Sequence, residues 1–92
     1  RNIKLIVQLL DMRHEPTADD RTMLNFLSES GYNFICVLTK CDKLKTMERN
    51  RRREAFAQNP DLAGAKKIIE ASAQTGEGIE QIKAVIEEFL AE

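Results

Sequence analysis

A three-layer α/β fold built around a parallel sheet, in the order β-α-β-α-β-α, is what this sequence predicts. Three observations lead there. Short runs suited to strands recur at residues 3–10, 33–38 and 66–71, the first two mostly apolar, and each is followed by a polar turn. Each turn then leads into a segment with helical start signals or helical spacing. Strand and helix alternating in this way argue for parallel pairing with right-handed crossovers.

The first run, Ile3-Lys4-Leu5-Ile6-Val7-Gln8-Leu9-Leu10, is almost continuously apolar. Strands buried on both faces of a parallel sheet read this way, so it is expected to be central. Residues 11–16 form a loop, because Pro16 disfavours helix immediately before it. Thr17 with Asp20 makes a capping-box pattern, and Asp19 and Asp20 suit the positive end of the helix dipole. Met23, Leu24 and Leu27 give that helix its apolar stripe, and Gly31 stands where a left-handed C-cap belongs. The second strand, 33–38, runs into a turn at Thr39. Thr46 is expected to cap the next helix, which turns Met47, Ala55 and Phe56 inward and its arginines outward. Asn59-Pro60-Asp61 breaks it. The third strand, 66–71, passes through a loop at 72–78 to a helix whose Ile79, Ile82, Ile86 and Phe89 share one stripe.

With 92 residues the chain is one small domain or a piece of a larger one. Its 42% hydrophobic and 32% charged residues exclude a disordered or membrane-embedded class. No apolar stretch approaches the roughly 18 residues needed to span a bilayer, and no leader pattern is visible, so a cytoplasmic protein is expected. Cys36 in a strand and Cys41 in a turn make neither a disulfide framework nor, with His14 distant, a metal site. Both are expected to be free thiols. Net charge is −1, yet seven of the fourteen basic residues fall between Lys40 and Arg53, against only Asp42 and Glu48 in that window. One face is therefore basic.

The candidate site is Thr39-Lys40-Cys41-Asp42, at the carboxyl end of the second strand, where open α/β sheets bind ligands. A fixed carboxylate can accept from both the N1-H and the 2-amino group of guanine, a donor pair that adenine lacks. Asp42 is the candidate base reader. Lys40, two residues earlier in extended chain, would project the same way and lay its stem along the ring. Alone, Thr-Lys-x-Asp is a common tetrapeptide and reads equally as a solvated strand end. A second box, Ser72-Ala73-Gln74-Thr75-Gly76, strengthens the assignment.

Three stretches carry a resemblance: residues 8–20, then Val37-Leu38-Thr39-Lys40-Cys41-Asp42-Lys43-Leu44, then Ala71-Ser72-Ala73-Gln74-Thr75-Gly76-Glu77-Gly78. Over essentially all its length the chain resembles the C-terminal half of a Ras-like, translation-factor-related GTPase domain. It is most similar to the bacterial ribosome-biogenesis GTP-binding proteins of the EngB (YsxC/YihA) family. Cys41 departs from the family's Thr-Lys-Ala-Asp-Lys only at its variable place. The resemblance implies that Asp42 binds the guanine edge and Lys40 packs over the base. It further implies that Thr39, where Asn is common, braces the loop, that the Ala73 amide meets the guanine carbonyl, and that Ser72 holds the loop's shape. GTP or GDP with Mg²⁺ is the implied ligand set, and the large ribosomal subunit or its RNA the implied partner.

The sequence has no Gly-x-x-x-x-Gly-Lys-Ser/Thr, so the phosphate cradle and the Mg²⁺ hydroxyl are absent from it. The chain is thus expected to be half of a P-loop GTPase fold that lacks switch regions and does not hydrolyse GTP unaided. It has no catalytic residue and no metal ligand of its own. Its first strand would leave one apolar edge unpaired, and self-association through residues 3–10 is expected. Lys43, Lys45, Arg49, Arg52 and Arg53 are candidate contacts to RNA phosphates, weighed against a solvated helix face. If they face solvent, reversing the arginines should spare folding. His14 reads as a loop residue, and Glu87, Glu88 and Glu92 as solvent-facing charge. A nucleotide-independent RNA-binding or interaction module working through this basic helix is the alternative from another class. A different member of the same GTPase superfamily is the second.

Overall fold

The computed structural model describes residues 3–91. Three strands, β1 (Ile6–Asp11), β2 (Phe34–Thr39) and β3 (Ile68–Glu70), alternate with three helices, α1 (Ala18–Ser30), α2 (Thr46–Ala57) and α3 (Ile79–Leu90). The strands lie in the order β1-β2-β3, and both pairings are parallel, Ile6 opposite Phe34 and Cys36 opposite Ile68. The expected β-α-β-α-β-α fold is the one observed.

Alternation along β2 sends its side chains to two faces, and both are buried. Phe34, Cys36 and Leu38 join Leu10, Leu24, Leu27, Phe56 and Leu62 beneath α1 and α2. Ile35 and Val37 join Ile69, Ala71 and Val85 beneath α3, with Ile82 and Phe89 at its margin. β2 is thus the central strand that the first run was expected to be. β1 lies at the edge of the described sheet, and its Val7 and Leu9 remain 37% and 59% exposed. The physical reason is geometric: cross-strand partners share a face, so Val7 and Leu9 stand beside Ile35 and Val37, but only the latter pair is fully buried beneath α3.

Pairing sets the strand ends. β1 starts where Ile6 finds Phe34 opposite, so residues 3–5 precede it, and it runs on through Asp11. Around β3 the Lys66 amide still bonds the Phe34 carbonyl and the Lys67 carbonyl accepts from the Cys36 amide, although only three residues are fully paired.

The capping box opening α1 is complete: the Thr17 hydroxyl accepts from the Asp20 amide and the Asp20 carboxylate from the Thr17 amide. Gly31 closes α1 at φ 84°. The expected cap of α2 is corrected, because Thr46 is its first helical residue and Lys45, with no side-chain bond, is the N-cap. Its inward face is corrected too. Phe56 is buried, but Met47 is 78% exposed and Ala55 is exposed as well. Met23 of α1 is likewise outside, leaving Leu24 and Leu27 as that helix's buried pair. On α3 the deepest residue is Val85, flanked by the expected Ile82 and Phe89, while Ile79 is exposed. Glu87 and Glu88 are exposed, and Glu92 lies outside the described residues. Cys36 and Cys41 are both buried free thiols.

Candidate functional site

At the carboxyl edge of the sheet the two sequence boxes meet. β2 ends at Thr39, whose hydroxyl donates to the Leu10 carbonyl at 3.2 Å and ties the ends of β1 and β2 together. The chain then turns sharply. Lys40 adopts a left-handed conformation (φ 64°, ψ 31°), and residues Cys41–Lys43 form one turn of 3-10 helix. The expectation that Lys40 and Asp42 share a direction through extended chain is therefore corrected, since neither residue is extended. A left-handed non-glycine residue costs of order 1–2 kcal/mol, so the surrounding bonds must enforce it. One of these is the Cys41 amide to the Ala71 carbonyl, at 3.1 Å. The Lys40 ammonium stands 3.6 Å from the Asp11 carboxylate. Hydrogen bonds from Arg13 hold Asp11 well below the usual carboxylate range.

Ser72 is fully buried, the one buried polar residue among those described. Its hydroxyl donates to Asp42 Oδ1 at 2.7 Å and accepts from the Thr75 amide at 3.1 Å. A single side chain thus couples the carboxylate of the first box to the backbone of the second. The Asp42 side chain is only 18% exposed, and its second oxygen lies 4.0 Å from the Lys43 ammonium. Ser72 leaves most of the carboxylate's acceptor capacity unused, since two ionised oxygens offer about four lone-pair positions. Ala73 is exposed at the head of the loop. Thr39, Lys40, Asp42, Ser72 and Ala73 are therefore brought together at one edge of the molecule.

The 72–78 loop is built as tightly as the turn. The Ser72 amide donates to the Glu77 carbonyl at 3.0 Å, and the Gly76 amide to the Ser72 carbonyl at 2.8 Å. Gly76 and Gly78 both take φ of 82°. At Gly78 the need for glycine is absolute in steric terms, because a β-carbon would sit 2.1 Å from the Glu70 carbonyl oxygen.

Sequence reasoning missed the group that anchors this loop. Arg49 on α2 reaches Glu70 at the end of β3 with Nε at 2.7 Å, and it grips both oxygens of Glu77 with its two terminal nitrogens. Arg53 also holds both oxygens of Glu70. The arginine bonds draw the carboxyl groups of Glu70 and Glu77 down from the ordinary glutamate range. The buried Cys41 thiol lies 3.6 Å from Glu77, and burial pushes its pKa up. The arginines of α2 were expected outward. In the structure Arg49 and Arg53 are turned onto β3 and the loop, and Arg52 lies over the Phe56 ring at 5.6 Å with Nε 3.4 Å from the Met12 carbonyl. Lys43 and Lys45 remain exposed. A groove of about 430 Å³ opens away from this edge, between the start of α1 and the end of α2, and none of the base-reading candidates lines it. Among the described residues, no group of three or more His, Cys, Asp or Glu side chains is gathered as a metal ion would require.

The fold is a parallel α/β sheet of the kind found in GTPase domains, and the polar turns that end its second and third strands lock together. Solved structures agree. Translation elongation factor SelB from Methanococcus maripaludis in its apo form matches 96% of the chain with a TM-score of 0.75 and 25% identity. The same factor in complex with the GTP analogue GppNHp matches with 0.76 and 27%. In each case the match covers 20% of the elongation factor.

Over almost its whole length the chain is similar to GTP-binding proteins of the EngB family. It is 38% identical over 86 residues to a probable GTP-binding protein EngB of Gemmatimonas aurantiaca, covering 94% of this chain and 42% of that relative. It is 43% identical over 89 residues to that of Thermosipho africanus, covering 96% and 44%. The chain thus spans about two-fifths of the length of these relatives. No family model matches it.

Proposed function

We propose that this chain is the base-reading part of a GTP-binding protein, in which Asp42 selects guanine. The observation that carries the reading is the bond from the buried Ser72 hydroxyl to Asp42 Oδ1, which fixes a carboxylate at the edge where the two boxes meet. In this reading Asp42 accepts from the ring N1-H and the 2-amino group. Lys40 lies along the base, Thr39 braces the turn, and the Ala73 amide donates to the guanine carbonyl. Ser72 keeps the acceptor oriented so that little reorganisation accompanies binding. Relatives described as GTP-binding proteins and a neighbour solved with a GTP analogue support the assignment.

GTP or GDP with Mg²⁺ is the ligand set assigned to the whole protein. Only its base-facing contacts are assigned to this chain, whose four glycines form no phosphate-binding loop. Assembly of the large ribosomal subunit in the cytoplasm is the setting that the EngB resemblance supports. Among the described residues no helix is long and apolar enough to cross a membrane. Any contact to ribosomal RNA phosphates falls first to Lys43 and Lys45, which remain exposed, whereas Arg49 and Arg53 are tied to β3 and Arg52 lies over Phe56. Self-association is assigned to β1, which has no neighbour on its outer edge among the described residues.

Titration of GDP and xanthosine diphosphate into the natural full-length protein tests the assignment. Asp42→Asn should weaken GDP about tenfold to a hundredfold and favour the xanthine nucleotide, because the amide loses an acceptor and gains a donor for the extra ring carbonyl. Equal GDP affinity in wild type and variant would sink the role of Asp42.

A further inference from the structure

We propose that Arg49 is a positioning residue for base recognition: through Glu77 it sets the 72–78 loop against the Asp42 turn, so that guanine selectivity depends on a side chain of α2. The inference rests on the base-reading role of Asp42 proposed above and extends it to a residue outside both boxes.

The connection can be followed atom by atom. Arg49 Nη1 donates to Glu77 Oε1 at 3.2 Å while Nη2 donates to Oε2, so the guanidinium plane fixes the carboxylate in two dimensions. The Glu77 carbonyl accepts from the Ser72 amide at 3.0 Å, and the Glu77 amide donates to the Thr75 hydroxyl at 3.2 Å. The Thr75 amide in turn donates to the Ser72 hydroxyl, which donates to Asp42. Glu77 therefore closes the loop on the serine that orients the base-reading carboxylate. A second route is shorter: Glu77 Oε1 lies 3.6 Å from the thiol of Cys41, the residue next to Asp42. Arg49 is itself held, since Nε donates to Glu70 and its side chain is only 21% exposed. That is the construction expected of a residue that transmits position, because both ends of the guanidinium are fixed before any ligand arrives.

Arg53 supplies the control. It binds the same Glu70 from the same helix without touching Glu77, so its loss loosens α2 from β3 and leaves the loop clamp in place. Base selectivity is read as the ratio of GDP to IDP affinity in the natural full-length protein, since inosine lacks the 2-amino group. Arg49→Ala and Glu77→Ala should each lower that ratio by about tenfold, the scale of one charged hydrogen bond displaced. Glu77→Gln, which keeps an acceptor for Arg49, should retain most of it, and Arg53→Ala should lower the melting temperature with the ratio unchanged. An unchanged ratio in both alanine variants, in a protein whose ratio responds to Asp42→Asn, overturns the inference alone. A wild-type protein that does not prefer GDP over IDP, with Asp42→Asn silent, overturns the base-reading role and this inference with it.

Discussion

Gly78 is the residue with the least room to change. It combines φ of 82° with a carbonyl oxygen 2.1 Å from where a β-carbon would stand, and that oxygen belongs to backbone that cannot step aside. Gly76 has the same φ but nothing within 4 Å. The pair separates backbone strain from steric overlap. Gly76→Ala should cost about 1–2 kcal/mol, the penalty of the left-handed region, and Gly78→Ala about 3 kcal/mol or more, because overlap adds to it. Urea unfolding of the two variants measures the difference, and equal midpoints would mean that the loop moves away from Glu70. At this scale much of the candidate site was legible beforehand, since Asp42 and Ser72 stand in short boxes whose chemistry is local. Arg49, Glu70 and Glu77 were not. Their partners lie 21 and 28 positions apart in sequence, and a run holding four arginines gives no sign of which one meets a glutamate.

Among the elements, α2 departs furthest from its sequence reading. Helical periodicity offered Met47, Ala55 and Phe56 as an inner face, but only Phe56 is buried, and what orients the helix is its ionic contact with β3 and the 72–78 loop. Apolar spacing cannot reveal a face built from charges. α1 and α3 were read more nearly, since Leu24 and Leu27 are buried and Ile82 and Phe89 partly so, although Val85, the deepest residue of α3, was not on the expected stripe. Reversal of Arg49, Arg52 and Arg53 to Glu should consequently lower the melting temperature instead of sparing the fold, since it sets three carboxylates against Glu70, Glu77 and the Met12 carbonyl. Lys43→Glu with Lys45→Glu should change stability by no more than about 0.5 kcal/mol, as is usual for exposed sites. If the basic segment meets RNA phosphates, this lysine pair should weaken large-subunit RNA binding and lower its salt slope by about 2. Thermal melts and salt-titrated RNA binding read both effects, and an RNA affinity indifferent to the lysine pair would leave these residues as solvated charge.

For the molecule as a whole, the unequal covering of the sheet has the largest consequence. β2 is buried on both faces, whereas β1 pairs on one side only among the described residues and keeps Val7 and Leu9 exposed. Ile3, Leu5, Val7, Ile86 and Leu90 line one open groove along this edge, and Lys4 is its one charged residue. The first strand read as central because its composition suits burial on both faces. That composition was legible, but whether a neighbour covers it is a property of the surroundings. An apolar strand with a free row of backbone donors and acceptors is a template for pairing with another chain, and a lysine is the usual protection against it. We therefore expect the 92-residue chain to associate through β1, in a two-fold pair that buries the Val7 and Leu9 side chains. Light scattering over a range of concentrations should give a mass that rises above the 10.5 kDa of one chain. Leu9→Lys should return it to 10.5 kDa with helical content unchanged, because that position is 59% exposed and contributes little to the interior. A constant mass of one chain at every concentration, with the amides of β1 protected from hydrogen exchange, would show that the edge is covered from within the chain.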